Sequence, residues 1–279
     1  MSLTRRLVLG SSVVVLAVGL AGCGGQGSPQ AGGSSSGAPA TTAAPSPTPT
    51  PTPAVIELTA DTFVSTITQA SAALPAMSAT FEMVTTAQGQ TVTATGSMRA
   101  AADGTPEMAM TMTVPGVTTP IDMRMVGGVV YMNMGQVTGG MFVAVDPNDS
   151  STGIPMPKNF DPAADAKDIA NAVVSVTKVG APEVVGGVPT QAFDVVVDLS
   201  KVTGTTRQTL DGAGQQAAAA GATMPAQITY HYWIDAKGLV RRVSDEVLGA
   251  STQMTFTRWG EPVDIQAPPA DKIANVDKG

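Results

Sequence analysis

The sequence predicts an α+β domain in which helices pack on an antiparallel β-sheet. The segment Met77–Met141 holds eleven of the fifteen methionines, and along it apolar and polar residues alternate. Alternation with period 2 is typical of strands that have one apolar and one polar face. Before this segment Phe63, Ile67, Ala70 and Leu74 recur every three or four residues, which predicts a helix with one apolar stripe.

This first helix has signals at both ends. Thr59 is a suitable N-cap, and Asp61 places a negative charge in the first turn, where the helix dipole favours it. Pro75 cannot continue a helix, so we expect about four turns that end before it.

Tight turns fix the register of the first strands. A two-residue turn at Gln88-Gly89 pairs Phe81 with Gly96 and Met83 with Ala94. A three-residue loop ending at Gly104 predicts the pairs Met98 with Met108, Gly96 with Met110, and Ala94 with Met112. A turn at Gly127-Gly128 predicts the pairs Met125 with Val130, Met123 with Met132, and Ile121 with Met134. All three turns keep the methionines on one face.

The later elements follow from similar signals. Phe160-Asp161-Pro162 is typical of a helix start, and we expect that second helix to run to about Val173. The residues between 200 and 220 are rich in both alanine and glycine, which predicts a frayed helix or a mobile cover. The end after Pro262 is proline-rich, and we expect it to be held only loosely. The predicted strands are Val174–Gly180, Val188–Leu199, Gln227–Ile234, Leu239–Leu248 and Ser251–Trp259, the first two joined by Gly186-Gly187.

Composition excludes several classes of protein. The net charge is −7, which disfavours contact with nucleic-acid phosphates, so we expect no nucleic-acid partner. Cys23 is the single cysteine and His231 the single histidine. A disulfide needs two cysteines, and zinc sites use several Cys or His ligands, so neither is expected.

The N-terminus has the pattern of a lipoprotein signal peptide over residues 1–22. Arg5 and Arg6 precede an apolar run, Leu7–Leu20, which ends in Ala21-Gly22-Cys23. Leu20-Ala21-Gly22-Cys23 resembles a bacterial lipobox, which implies cleavage before Cys23 and a diacylglycerol on its sulfur. The alternative is an ordinary signal peptide with a cysteine there by chance.

Residues 23–54 predict a disordered tether. From Gly24 to Ala54 the chain is uncharged and consists almost entirely of Gly, Ser, Ala, Thr and Pro. Such a segment cannot bury a core; it would span about 30 Å as a random coil and about 95 Å in polyproline II geometry. We expect it to hold a domain of residues 55–279 away from a membrane.

We expect no catalytic residues, no cofactor and no metal. His231 lies on a predicted strand among aromatic residues, which favours a surface or hydrogen-bonded structural role. Other acidic residues have simpler roles: Glu82, Glu107 and Asp122 fall on the polar face, and Asp161, Asp165 and Asp168 add charge to a helix start.

Several segments together resemble the LppX/LprAFG family of actinobacterial lipoproteins. They are the lipobox, the Thr/Pro tether, the N-terminal helix and the long antiparallel meander, together with Gly180–Thr190, Tyr232–Asp235, Gly238–Arg241, Trp259–Pro262 and Ala267–Asp271. The resemblance covers about residues 58–273 and rests on short turn and strand motifs.

The resemblance implies a LolA/LolB-like fold, a strongly curved antiparallel half-barrel with helices across its concave face. It also implies a cavity for acyl chains, a location at the outer face of the cytoplasmic membrane, and a lipid-transport role. The implied partners are the membrane through acylated Cys23, a lipid or glycolipid, and a membrane transporter.

The methionine face allows two hypotheses. Thioether side chains are flexible, so they suit either a lipid-binding wall or an ordinary core. On the first hypothesis the chain is a lipid carrier; on the second it is an anchored structural or sensor domain that binds a protein partner. A hydrolase is disfavoured because no acid, base and nucleophile converge. The predicted cavity residues are Phe63, Ile67, Phe81, Met83, Met98, Met108, Met110, Met112, Met123, Met125, Met132 and Met134.

Overall fold

A computed structural model describes residues 56–145, 167–219 and 221–274. The signal peptide, the tether up to Ala54, and most of the helix predicted after Phe160 lie outside these residues, so those assignments stay predictions. Residues 167–170 are helical, but Val173 already begins a strand. The predicted helix end at Val173 is therefore about three residues too late, because the β-rich sequence there pairs with its neighbour.

The described residues form one open, curved sheet of eleven antiparallel strands in the order β6-β5-β4-β3-β2-β1-β11-β10-β9-β8-β7. Two meanders, β1–β6 and β7–β11, lie side by side and are joined where β1 pairs with β11. The predicted antiparallel α+β fold is confirmed. The strands are β1 (Ser78–Ala87), β2 (Gln90–Ala100), β3 (Pro106–Thr113), β4 (Ile121–Val126), β5 (Val129–Asn133), β6 (Val143–Val145), β7 (Val173–Val185), β8 (Val188–Asp198), β9 (Gln227–Asp235), β10 (Val240–Val247) and β11 (Ala250–Thr257).

The predicted register of the first hairpins is confirmed. Gln88 and Gly89 both have positive φ, 52° and 75°, as a two-residue hairpin turn with the twist of its strands requires. Phe81 then pairs with Gly96, and the three pairs predicted between β2 and β3 all form.

One pair is wrong. Met125 faces Val130 and Met123 faces Met132, but β5 ends at Asn133, so Ile121 does not pair with Met134. The side chain of Asn133 accepts from the Gly135 amide at 2.9 Å and from Thr138 Oγ1 at 3.1 Å. These bonds turn the chain into a short 3₁₀ helix, Gly135–Thr138, before Met134 can extend the ladder.

Helix α1 (Ala60–Ala72) begins after Thr59, as predicted, and the Thr59 amide donates to Thr62 Oγ1 at 2.9 Å. Helix α2 (Gly204–Ala219) occupies the segment predicted as a frayed helix or a mobile cover. It buries Leu210, Ala213 and Ala217, which share one helix face. In the described part of the chain, no helix is both long and apolar enough to cross a membrane.

β7 continues beyond the predicted end at Gly180. Gly180 has φ 63°, and the pairing with β8 shifts between Val179 and Glu183. A bulge with glycine in the left-handed region absorbs extra residues and lets the ladder resume. The hairpin predicted at Gly186-Gly187 then forms.

The C-terminal segment is not loosely held, which corrects the prediction. It crosses the polar face of the first meander, where Arg99 donates to the carbonyls of Val263 and Ile265, both at 3.0 Å. Ile265 is buried, and the Phe142 amide donates to the Lys272 carbonyl at 2.7 Å. The prolines limit its conformational freedom, while side chains from distant strands fix its path.

The exposure of Glu107 also differs from the prediction, which placed it on the polar face as a solvated charge. It lies opposite the methionines as predicted, yet it is only 9% exposed because the C-terminal segment covers it. Arg99 lies directly across the ladder, and its Nη2 approaches Glu107 Oε2 at 2.6 Å. One arginine therefore compensates a buried carboxylate and holds the C-terminal segment at the same time.

Arg99→Leu should lower the free energy of unfolding by about 2–3 kcal/mol, because Glu107 would stay buried without its partner. Urea denaturation measures this. The control is Arg258→Leu, whose ion pair with Glu261 is more than half exposed on both sides, and we expect it to change stability by less than about 0.5 kcal/mol. Equal small effects of the two changes would contradict the anchoring role of Arg99.

Candidate functional site

The apolar face of the sheet is built from rows of side chains that run across the strands. Because neighbouring strands pair directly, each row continues from one meander into the other. The first row contains Tyr232, Val243, Met254, Met83, Ala94, Met112 and Ile121. The second contains Phe256, Phe81, Gly96, Met110, Met123 and Met132, and the third contains Ala79, Met98, Met108, Met125 and Val130.

Helix α1 packs on this face over the second meander. Phe63 is 1% exposed, and its ring meets the ring of Tyr232 edge-on at 5.0 Å between centroids. Gly238, in the turn after β9, lies so close to α1 that an added Cβ would be 3.0 Å from Thr66 and 3.1 Å from Ala70. On this side the helix and the sheet close directly on each other.

The methionines of β3 and β4 lie on the first meander, whereas the α1 contacts described above are with the second. Five strand intervals separate β3 from β9, the strand whose Tyr232 contacts Phe63 of α1. Met108, Met110 and Met112 on β3 and Met123 on β4 are half-buried. These methionines therefore form a soft apolar wall on the first meander that is partly accessible to solvent.

Part of the face is packed by its own side chains. At Gly96 an added Cβ would lie 2.6 Å from the Phe81 ring and 2.5 Å from the Ala109 carbonyl oxygen. The ring of Phe81 therefore fills the space above the glycine. At this point the small residue between long ones allows interdigitation and leaves no groove.

The structure brings most of the predicted cavity residues onto the apolar face. Phe63, Phe81, Met83 and Met98 belong to the same buried core, with Ile67, Met108, Met110 and Met112 packed partly buried against it. Met125 and Met132 are also buried, and Met123 lies between Met110 and Met132 in the second row. Met134 is half-buried but lies outside the ladder.

A small hollow lies at one end of the first meander. It is partly open to solvent and has room for about one water molecule, and it is lined by Met77, Ser78, Met98, Arg99, Ala100 and Trp259. Of the predicted cavity residues only Met98 reaches it, so this hollow is separate from the half-buried methionine wall of β3 and β4.

Three polar residues on the apolar face were missed by the sequence reasoning. Asp245 pairs with Thr252, and Thr252 pairs with Thr85, so the three form one row across β10, β11 and β1. We call this the polar row. Their exposures are 7%, 5% and 3%, respectively. The alternation of Val243, Asp245 and Val247 was a sufficient signal, because it places the aspartate on the apolar side.

Asp245 changes the electrostatics of this part of the face. Burial raises the pKa of Asp245 to about 7, and His231 on the neighbouring strand lowers it by a smaller amount. Burial also raises the pKa of Tyr230, and the charge of Asp245 raises it further. At neutral pH the carboxyl group is therefore close to the midpoint of its titration.

Where the structure describes them, the histidine and aspartates considered in the sequence have structural partners. His231 is exposed, and its Nδ1 lies 2.6 Å from Asp194 Oδ1, which confirms the hydrogen-bonded surface role. Asp168 accepts from the Thr206 amide at 3.1 Å and so caps α2, whereas Asp161 and Asp165 lie outside the described residues. Within residues 56–145, 167–219 and 221–274, no group of three His, Cys, Asp or Glu side chains could hold a metal ion.

The continuous apolar face and helix α1 place this chain among proteins with an open, curved antiparallel sheet and a helix packed on its apolar face. Among solved structures, the lipoprotein LppX of Mycobacterium tuberculosis matches with a TM-score of 0.51 at 18% identity, over 74% of this chain and 98% of LppX. LprF from Mycobacterium bovis gives 0.48 at 16% identity, over 75% of this chain and 96% of LprF. A LolA superfamily protein from Nitrosomonas europaea has a TM-score of 0.29 at 9% identity, over 77% of this chain and 97% of that protein.

These identities show a common fold and nothing more. No protein-family model matches the chain, and no curated protein matches it either. The chain resembles LppX in its fold, so the resemblance indicated by the sequence motifs is confirmed at that level.

The raised pKa of Asp245 predicts that the free energy of unfolding decreases as the pH rises from about 4 to about 7. In this window the folded protein keeps the proton and the unfolded chain, with an ordinary aspartate, loses it. Asp245→Asn should remove this contribution, which we expect to amount to about 2–4 kcal/mol over the window. Urea denaturation of both proteins at several pH values measures the difference. If the free energy of unfolding varied with pH in the same way in both proteins, the pKa of Asp245 would not be raised by folding.

Proposed function

We propose that this chain is a membrane-anchored lipoprotein of the cell envelope that binds the acyl chains of a lipid or glycolipid and carries it across the periplasm-like space. The observation that carries the proposal is the half-buried methionine wall of β3 and β4. The similarity in fold to the lipoprotein LppX supports the same role.

Methionine suits this task physically. Its unbranched side chain can adjust to chains of different length and branching without leaving voids. Each methylene removed from water contributes about 0.8 kcal/mol, so a chain that buries ten methylenes gains about 8 kcal/mol before the costs of association. Affinity of this kind requires no polar recognition, which is consistent with a wall made only of apolar side chains.

The anchor in this proposal is Cys23. A single acyl chain binds a membrane only marginally, whereas the two chains of a diacylglycerol hold a protein firmly. The tether of residues 24–54 would then set how far the domain moves from the membrane, with an extended limit of about 95 Å.

The proposed anchor predicts the mass of the mature protein. Mass spectrometry should find a chain that begins at Cys23 and carries a diacylglycerol on it, and Cys23→Ala should release the protein from the membrane fraction. A mature chain with an unmodified cysteine would contradict the anchor without affecting lipid binding by the domain.

The methionine wall predicts that polar substitutions on it weaken lipid binding. Met110→Gln with Met123→Gln keeps the length of both side chains but places two amides against the acyl chain, so we expect a ten- to hundredfold lower affinity. The measurement is native mass spectrometry of the chain from residue 24 with co-purifying lipid, followed by titration with a fluorescent fatty acid.

The matched control changes Thr95 and Thr113 to Gln, since both are exposed on the polar face of neighbouring strands. It should bind lipid like the unchanged protein. The competing hypothesis of an anchored structural or sensor domain is favoured by the Phe81 ring packed on Gly96. A lipid-free mass for the unchanged protein, with no binding in the titration, would support that hypothesis and reject the carrier.

A further inference from the structure

We propose that the polar row of Asp245, Thr252 and Thr85 is a subsite for the hydroxyl groups of an uncharged lipid headgroup, such as a glycerol or a sugar. This inference rests on the proposed lipid-binding function and deepens it by naming the chemistry of the headgroup. It follows from the position of the row, its unpaired atoms and its neighbours.

Two atoms of the row lack the partners that buried polar atoms normally have. Asp245 Oδ1 and Thr85 Oγ1 are both buried, and neither makes a hydrogen bond in the described part of the chain. Buried polar atoms without partners destabilise the folded state, so most proteins satisfy them. A ligand that brings hydroxyl groups to this row would supply the missing hydrogen bonds.

The polar row lies next to the row of Met254 and Met83, and that row continues across β2 to Met112 of the methionine wall. Thr85 is two residues from Met83 on β1, about 7 Å along the strand, and its neighbour Thr252 is two residues from Met254 on β11. From the polar row to the row of Ala79 and Met98 the distance is about 20 Å. A headgroup at the polar row would therefore let its chain extend over the methionine rows.

The neighbours of the row favour a hydroxyl over a phosphate. On β2 the row continues with the apolar Val92. On β9 the nearby residue is Tyr230, whose pKa is raised further by the charge of Asp245. The arginines of β10 are engaged elsewhere: Arg241 pairs with Asp235 at 2.7 Å, and Arg242 pairs with Glu183 and lies over the Trp233 ring. His231 on β9 is likewise paired with Asp194, so an anionic headgroup would meet the Asp245 carboxyl group while these described cations are already paired with carboxylates.

The protonation state of Asp245 supports the same chemistry. With its pKa raised by burial to about 7, the carboxyl group can accept from a hydroxyl in its charged form and can also donate in its neutral form. Threonine hydroxyls likewise donate and accept. The row can therefore match a polyol, whose hydroxyl groups do both.

The test compares ligands with the same palmitoyl chain and different heads: monopalmitoylglycerol, methyl palmitate and palmitoyl lysophosphatidic acid. The protein is the mature chain from residue 23 with Cys23→Ser, and displacement of a fluorescent acyl probe at pH 8 gives each affinity. We expect the glycerol ester to bind at least tenfold more tightly than either of the others.

Two isosteric variants test whether the row causes this preference. Asp245→Leu and Thr85→Val should each reduce the preference for the glycerol ester over the methyl ester by fivefold or more, while the affinity for the methyl ester stays the same. Thr255→Val, on the polar face of β11, is the control and should keep the full preference. If Asp245→Leu fails to fold, Thr85→Val still decides the question.

The outcomes separate this inference from the proposed function. Equal affinities for the glycerol and methyl esters, or a preference that survives both variants, would overturn the subsite and leave lipid binding intact. Tighter binding of the lysophosphatidic acid would overturn the uncharged class of headgroup. If none of the three ligands binds to the unchanged protein, the proposed function fails and this inference fails with it.

Discussion

The pairing of β1 with β11 is the contact on which the rest of the structure depends. Eight residue pairs join the two meanders, among them Phe81 with Phe256 and Met83 with Met254. Because these pairs preserve the alternation of both strands, the apolar faces of the two meanders become one continuous surface. A shift of one residue would turn the methionine rows to solvent on one side, so this ladder fixes both the core and the candidate site.

Local signals were enough for the hairpins but not for this ladder. Gln88-Gly89 and Gly127-Gly128 act over two residues, and alternation fixes which side chains share a face. Thr80 and Thr257, by contrast, are paired across 177 residues of sequence, and neither strand carries a sequence signal that identifies the other as its partner. The C-terminal segment was missed for the same reason, since Arg99 holds it from a distant strand while its own composition suggests a loose end.

The candidate site divides in a similar way. Alternation identified the methionine face, but the exposure of each methionine depends on packing between elements that are distant in the sequence, such as the contact of Phe63 with Tyr232. Asp245 could have been found, because alternation puts it on the apolar face. A buried carboxylate among apolar residues conflicts with the pattern of a core, and such local conflicts are expected at functional sites.

The two parts of the apolar face have complementary physical roles. An apolar wall gives affinity in proportion to the area it buries, so it distinguishes poorly between lipids of similar size. A buried polar group discriminates more strongly, because a ligand that lacks the matching hydroxyl leaves that group without a hydrogen bond. Adaptable methionines beside the row of Asp245 and Thr85 would thus tolerate variation in the acyl chain and select for the headgroup.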